Sequence, residues 1–142
     1  MEILEVKEYS DKTLESLNAL LPQLSTSAKP LAKIDLQNII SNSSVHLLLA
    51  QEKMECFGAL TLVVFPIITG TRAWIEDVVV SESSRGKGVG KLLTEKAVAS
   101  AAEYGAKTVD LTSRPSREAA NRLYKSAGFQ QRETNVYRFS GK

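Results

Sequence analysis

Seven consecutive residues, Arg85-Gly86-Lys87-Gly88-Val89-Gly90-Lys91, put three glycines among three cations, between a β-branched run and a segment with helical spacing. A glycine loses more backbone entropy on folding than any other residue. Three so close together therefore imply that something must come near the main chain where side chains would obstruct it. Glycines let successive N–H groups point into one concavity, and a following helix N-terminus adds partial positive charge. Arg85, Lys87 and Lys91 add full charges around it. The guest that suits such a loop is a phosphate or pyrophosphate. Two phosphate motifs do not fit. A P-loop requires Gly, four residues, then Gly-Lys-Ser/Thr, but Arg85 and Leu92 occupy its first and last positions. The dinucleotide fingerprint G-x-G-x-x-G fails because Lys91 stands in its third glycine slot. What remains is Arg-x-x-Gly-x-Gly, through Arg85, Gly88 and Gly90.

Two more places carry groups capable of chemistry. In "TRAWIEDVVVS", Glu76 and Asp77 interrupt an apolar strand. Side chains alternate along a strand, so Trp74, Glu76, Val78 and Val80 are expected on one face and Ile75, Asp77 and Val79 on the other. Ionised carboxylates are costly to bury alone. Each must face a wet cleft or hold a partner, Arg72 or a loop lysine being at hand. In "AANRLYKSAGF", Asn121 and Tyr124 are three apart and share a helix face. Periodicity alone makes Tyr124 a core aromatic with its hydroxyl at the surface. His46 reads as a strand histidine and Cys56 as a buried thiol. "LTSRPSREA" brings Ser113, Arg114 and Arg117 to a strand end, where ligands often bind; Arg114 suits an anionic acceptor group or a loop cap.

The elements that position these groups follow from periodicity. "EILEVKEY" (2–9) reads as a strand. Asp11 reads as the N-cap of a helix with Leu14, Leu17, Leu21 and Leu24 at helical spacing, kinked or ended at Pro22. "PLAKIDLQNIISN" reads as a second amphipathic helix. "VHLLLAQE", "CFGALTLVVFPI" and "TRAWIEDVVVS" read as strands, the first two joined by a tight turn near 52–54. A helix from about Gly88 ends at Gly105, a C′ glycine. "KTVDLTS" reads as a strand, "SREAANRLYKSAG" as a helix closed by Gly128, and "FQQRETNVYRF" as a terminal pair of strands.

Composition narrows the function. The 142 residues suit one domain, 1–142, large enough for a real core. The net charge of +2 gives no ground to expect nucleic acid or a membrane surface as partner. One cysteine and one histidine give no disulfide and no usual metal ligand set. The first residues do not read as a signal peptide, and no apolar run reaches the roughly 20 residues of a membrane span. A soluble protein of the cytoplasm is expected, with no metal.

"WIEDVVV", "RGKGVGKLL" and "AANRLYKSAGF", in that order and spacing, resemble the GNAT superfamily of acetyl-CoA-dependent N-acetyltransferases. The resemblance covers roughly residues 58–137 and extends through the helical N-terminal third. With the element order β-α-α-β-β-β-α-β-α-β-β, it implies an α/β (α+β) acyl-CoA N-acyltransferase fold. Its mixed sheet would have about six to seven strands, flanked by about four helices. The resemblance implies that Arg85, Gly86, Lys87, Gly88, Val89, Gly90 and Lys91 hold the pyrophosphate of acetyl-CoA. Val78, Val79 and Val80 would pair through their backbone with the pantetheine arm, and Asn121 would contact that arm. Tyr124 would be the acid that protonates the departing thiolate. Glu76 would be the base or amine anchor, with Asp77 second to it. The implied reaction is direct acetyl transfer to a primary amine of a small molecule, amino acid or peptide. A coenzyme-A-binding sensor or assembly module on the same fold is the alternative, and a homodimer is an assembly common in the superfamily.

Overall fold

The computed structural model describes residues 1–141. The elements run β1 (Glu2–Glu5), α1 (Asp11–Leu24), α2 (Lys33–Ser41), β2 (Val45–Glu52), β3 (Glu55–Ile67), β4 (Gly70–Val80), a 3₁₀ turn (Glu82–Ser84), α3 (Val89–Glu103), β5 (Val109–Asp110) and α4 (Glu118–Ser126). They build one sheet in the order β1-β2-β3-β4-β5, antiparallel except for the parallel pair β4–β5.

The run "LLLA" (47–50) is continuously apolar and buried, as expected of a strand covered on both faces. Leu48 and Ala50 join Leu60, Leu62, Ala73 and Ile75 under Val89, Leu93, Ala97 and Ala101 of α3. Leu47 and Leu49 point the other way, into a second core with Leu20 of α1 and Leu36 of α2. The mixed sheet with helices on both faces is thus the expected fold. The Lys53–Met54 turn between β2 and β3 has positive φ at both residues, as a tight two-residue hairpin requires.

Three expectations change. The N-cap of α1 is Ser10, whose Oγ accepts from the Thr13 N–H at 3.1 Å; Asp11 is the first helical residue. Pro22 lies inside the helix near its end and does not stop it. The sheet has five strands among the described residues, and residues 129–139 form none. The β-prone sequence there has no paired neighbour, and strand propensity alone holds no strand in water. Val136, Tyr137 and Phe139 are exposed.

Both late helices end as their glycines foretell. At α3, the N–H of Ala106 donates to Ala101 O and that of Gly105 to Ala102 O, with Gly105 at φ +85°. At α4, Phe129 N–H donates to Tyr124 O and Gly128 N–H to Lys125 O, with Gly128 at φ +97°. This is the paired closure that left-handed glycines allow.

Gly58 shows how close the layers lie. A Cβ there would stand 2.9 Å from the Val79 carbonyl oxygen and 3.1 Å from the Val89 side chain. The carbonyl belongs to a paired strand and cannot give way. Gly58→Ala is expected to lose about 1–3 kcal/mol in urea unfolding through overpacking. Leu36→Ala, which empties a fully buried position, is expected to lose about 2–5 kcal/mol.

Candidate active site

β5 reaches only two residues of β4. Val109 lies beside Ala73 and Asp110 beside Trp74, and the strands separate after that. Beyond the fork, Leu111 and Thr112 stand opposite Ile75, Glu76, Asp77 and Val78 across a cleft of about 100 Å³. Leu24 at the end of α1 closes one side, and Arg117 just before α4 and Tyr124 within it close the other. The α1 end is held there because Gln23 Oε1 accepts the Glu82 N–H at 2.9 Å.

The β4 wall is bent by a bulge. Ala59 pairs with Val79 and Thr61 with Glu76, so Asp77 and Val78 together face the single residue Leu60. Asp77 takes φ +50° to make this possible, a region that Asp tolerates better than most residues. The extra residue reverses the alternation. Val78 and Val80 therefore pack with Ile75 on the α3 side, and Val79 enters the opposite core. Simple alternation had grouped Val78 and Val80 with Glu76, and the bulge is what overturns it. Glu76 and Asp77 are exposed. Among the described residues neither has a cation within salt-bridge distance, Arg72 included.

At the far end of β4 the chain turns through Glu82–Ser84 into the glycine loop. Gly86 and Gly88 have φ +80° and +82°, and a Cβ at either would meet nothing within 4 Å. Conformation, not internal crowding, demands glycine at both. Gly88 is the N-cap of α3 and offers no side chain to the helix amides. The first backbone bond of that helix is Leu92 N–H to Gly88 O. The N–H groups of Gly86, Gly88, Val89, Gly90 and Lys91 thus have no backbone acceptor among the described residues. Arg85, Lys87 and Lys91 are exposed beside them. Unpaired amides at a helix N-terminus, ringed by cations and free of side-chain obstruction, fit a diphosphate. Gly90 serves packing: a Cβ there would stand 3.1 Å from Leu123 of α4.

On α4, Tyr124 is 8% exposed. Its carbonyl is the acceptor of the Phe129 N–H in the helix closure, and the two rings meet edge-on at 6.0 Å. The glycine-closed helix end therefore fixes the phenol in the cleft wall. Burial pushes that phenol above the ordinary tyrosine value, and the charge of Arg117 pulls it partly back. Among the described residues no side chain or backbone group hydrogen-bonds its hydroxyl. Asn121 does something unexpected. Its Nδ2 donates to Arg114 O and to Arg117 O, both at 2.9 Å. Both donors are spent on the chain, leaving only its Oδ1 for a ligand.

The structure thus brings Glu76, Asp77, Val78 and Tyr124 to one cleft, with the Arg85–Lys91 loop at the end of the same strand. Val79 and Val80 contribute backbone along that strand. Leu24, Thr112 and Arg117 were absent from the sequence-derived site, although the cations of "SRPSR" at a strand end were a signal for Arg117. Ser113 Oγ is buried without a partner, and Arg114 is exposed. His46 is a buried strand residue with Nδ1 3.2 Å from Glu5 Oε2, against a separate cavity. The Cys56 thiol is half-buried, pushed up by burial, and donates to Gly58 O. No group of three or more His, Cys, Asp or Glu among the described residues could hold a metal. No helix among them is long and apolar enough to cross a membrane.

Residues 12–129 match the Acetyltransferase (GNAT) family. Among solved structures, an acetyltransferase from Trypanosoma brucei is 27% identical, with TM-score 0.79 over 98% of this chain and 99% of that one. A transcriptional regulator from Bacillus halodurans is 25% identical, with TM-score 0.83 over 98% and 99%. An aminoglycoside acetyltransferase from an uncultured soil metagenomic sample, solved with trehalose, shares the fold at 19% identity, with TM-score 0.88 over 99% and 95%. No curated protein matches the sequence.

Because nothing crowds Gly88, its replacement isolates the cost of its backbone conformation. Gly88→Ala is expected to fold and to lose roughly 1–2 kcal/mol in urea unfolding. A loss near zero would mean that the loop relaxes out of the left-handed conformation.

Proposed function

The chain belongs to the Acetyltransferase (GNAT) family, and from that premise we propose that it transfers an acetyl group from acetyl-CoA directly to a primary amine. The acceptor is a small amine, an amino acid or a peptide, and the 142 residues act as one catalytic domain in the cytoplasm. The observation that carries this reading is the open side of β4, with the unpaired amides of Gly86, Gly88, Val89, Gly90 and Lys91 beyond its end and the cleft lined by Tyr124 along it.

Acetyl-CoA supplies an activated thioester whose diphosphate and pantetheine arm give the protein its handles. The amides of Gly86, Gly88, Val89, Gly90 and Lys91 bind the diphosphate, with Arg85 and Lys87 balancing its charge. The β4 backbone from Glu76 to Val80, with no strand beside it on the β5 side, pairs with the arm. The bulge at Asp77–Val78 turns the strand so that the thioester carbonyl meets main-chain donors at the fork. Glu76, exposed at the cleft, takes the proton of the incoming ammonium directly or through water, with Asp77 beside it as the second candidate. The amine nitrogen then bonds to the carbonyl carbon, the extra proton it now carries passes to water, and the C–S bond breaks. Tyr124 gives its proton to the sulfur. Holding both reactants in register supplies much of the rate, which suits a cleft with so few ionisable groups.

Calorimetry with acetyl-CoA, followed by a thiol-release assay over a panel of amines, amino acids, aminoglycosides and peptides, tests the reading. Binding heat with acetyl-CoA and thiol release with at least one amine are expected. Tyr124→Phe should keep affinity for acetyl-CoA while kcat falls about 10²–10⁴-fold. Since Tyr124 acts in its protonated form and burial raises its phenol, kcat should hold through neutral pH and fall only at strongly alkaline pH. Binding without turnover on any amine, and no effect of Tyr124→Phe, would favour a coenzyme-A sensor instead.

A further inference from the structure

Resting on the acetyl-transfer reading, we propose that Arg117 assists Tyr124 in the cleft as the cation that neutralises the phenolate left on it, with Asn121 as the residue that positions Arg117. Arg117 is the N-cap of α4. Arg117, Asn121 and Tyr124 follow at i, i+4 and i+7, a single stripe along the helix. The two ends of that stripe line the same cleft, and the middle residue is tied to the backbone.

The tie is specific. Asn121 Nδ2 donates to the carbonyls of Arg114 and Arg117, while Arg117 N–H also donates to Arg114 O at 3.0 Å. One side chain thus staples the turn between β5 and α4 onto the helix and holds the Arg117 backbone at the mouth of the cleft. Surface arginines usually spend much rotamer freedom. Here the backbone is fixed and the guanidinium has no carboxylate partner among the described residues.

The proton balance gives this cation its task. When the C–S bond breaks, the sulfur carries the electron pair and takes the proton of Tyr124, so negative charge passes to the phenol oxygen. That oxygen sits on a buried ring with no hydrogen-bond donor of its own. The other ionisable groups facing it are Glu76 and Asp77 across the cleft, both negative when ionised, while α1 offers Leu24 and the β5 side Leu111 and Thr112. Among the described residues, Arg117 is the one positive group lining that space. A guanidinium stays charged at any working pH, so it favours the phenolate at every turnover. The phenol is then reprotonated from solvent before the next cycle.

The test is an ultraviolet titration of tyrosine ionisation in the intact protein, with Tyr124→Phe identifying that phenol's contribution, alongside steady-state kinetics. Arg117→Gln is expected to move the Tyr124 titration to higher pH by about half a unit or more. It should also lower kcat about tenfold, with KM for acetyl-CoA changed less than about threefold. Arg117→Lys should restore most of both. Asn121→Ala should shift the same phenol in the same direction by a smaller amount. A Tyr124 titration unchanged in Arg117→Gln overturns the proposal even if kcat falls, as does a loss confined to KM. Because the titration needs no acceptor, it separates this outcome from failure of the acetyl-transfer reading.

Discussion

A parallel strand pair that ends after two residues leaves much of a central strand with nothing beside it on one side. The backbone groups there cannot be met within the sheet. A buried polar group without a partner costs about 1–3 kcal/mol, so the edge must stay wet or be covered by something that hydrogen-bonds like a strand. Ile75–Val80 of β4 is such an edge, because β5 reaches only Ala73 and Trp74. The other parts of the site are arranged around that opening.

Each wall of the cleft is held by a local device that is costly on its own terms. The bulge puts Asp77 at positive φ and turns β4 so that Val79 locks into the α1–α2 core while Val78 and Val80 lock into the α3 core. The glycine loop leaves five amides of a helix start without backbone acceptors, a cost a diphosphate can reverse. The closure of α4 at Gly128 ties the Tyr124 backbone to Phe129, so the phenol is placed by main-chain geometry more than by its own contacts. Gly90 lets α3 approach Leu123 closely and keeps the loop and the α4 wall at a fixed distance. Two well-packed cores on either side of the sheet support these local losses.

The sequence made much of this legible, for physical reasons. Glycines with left-handed φ leave a strong mark, so the loop and both helix closures could be read directly. The period-2 and doubly apolar runs marked β2, β3 and β4 to within a residue or so. What was not legible depends on register between distant segments. The bulge opposite Leu60 reversed the facing of Val78 and Val80, and nothing within "WIEDVVV" signals an extra residue. Tyr124 was placed by resemblance, since a helix tyrosine by periodicity alone would be ordinary core. Asn121 spends its donors on two carbonyls that only the folded turn brings near, which leaves its Oδ1 for the contact that the resemblance implied. Arg117 looked like one of several loop cations until the helix stripe set it beside Tyr124. The last segment was expected as strands because Val136, Tyr137 and Phe139 favour them, but propensity cannot supply a neighbour to pair with.

The most direct measurement is a crystal structure of the protein grown with coenzyme A. Diphosphate oxygens are expected within hydrogen-bond distance of the Gly86, Gly88, Val89, Gly90 and Lys91 amides, with the pantetheine arm running along Glu76–Val80 as an added strand. The sulfur is expected beside the Tyr124 hydroxyl. Coenzyme A bound elsewhere, or a gap between β4 and β5 that stays filled only by water at saturating ligand, would contradict this placement.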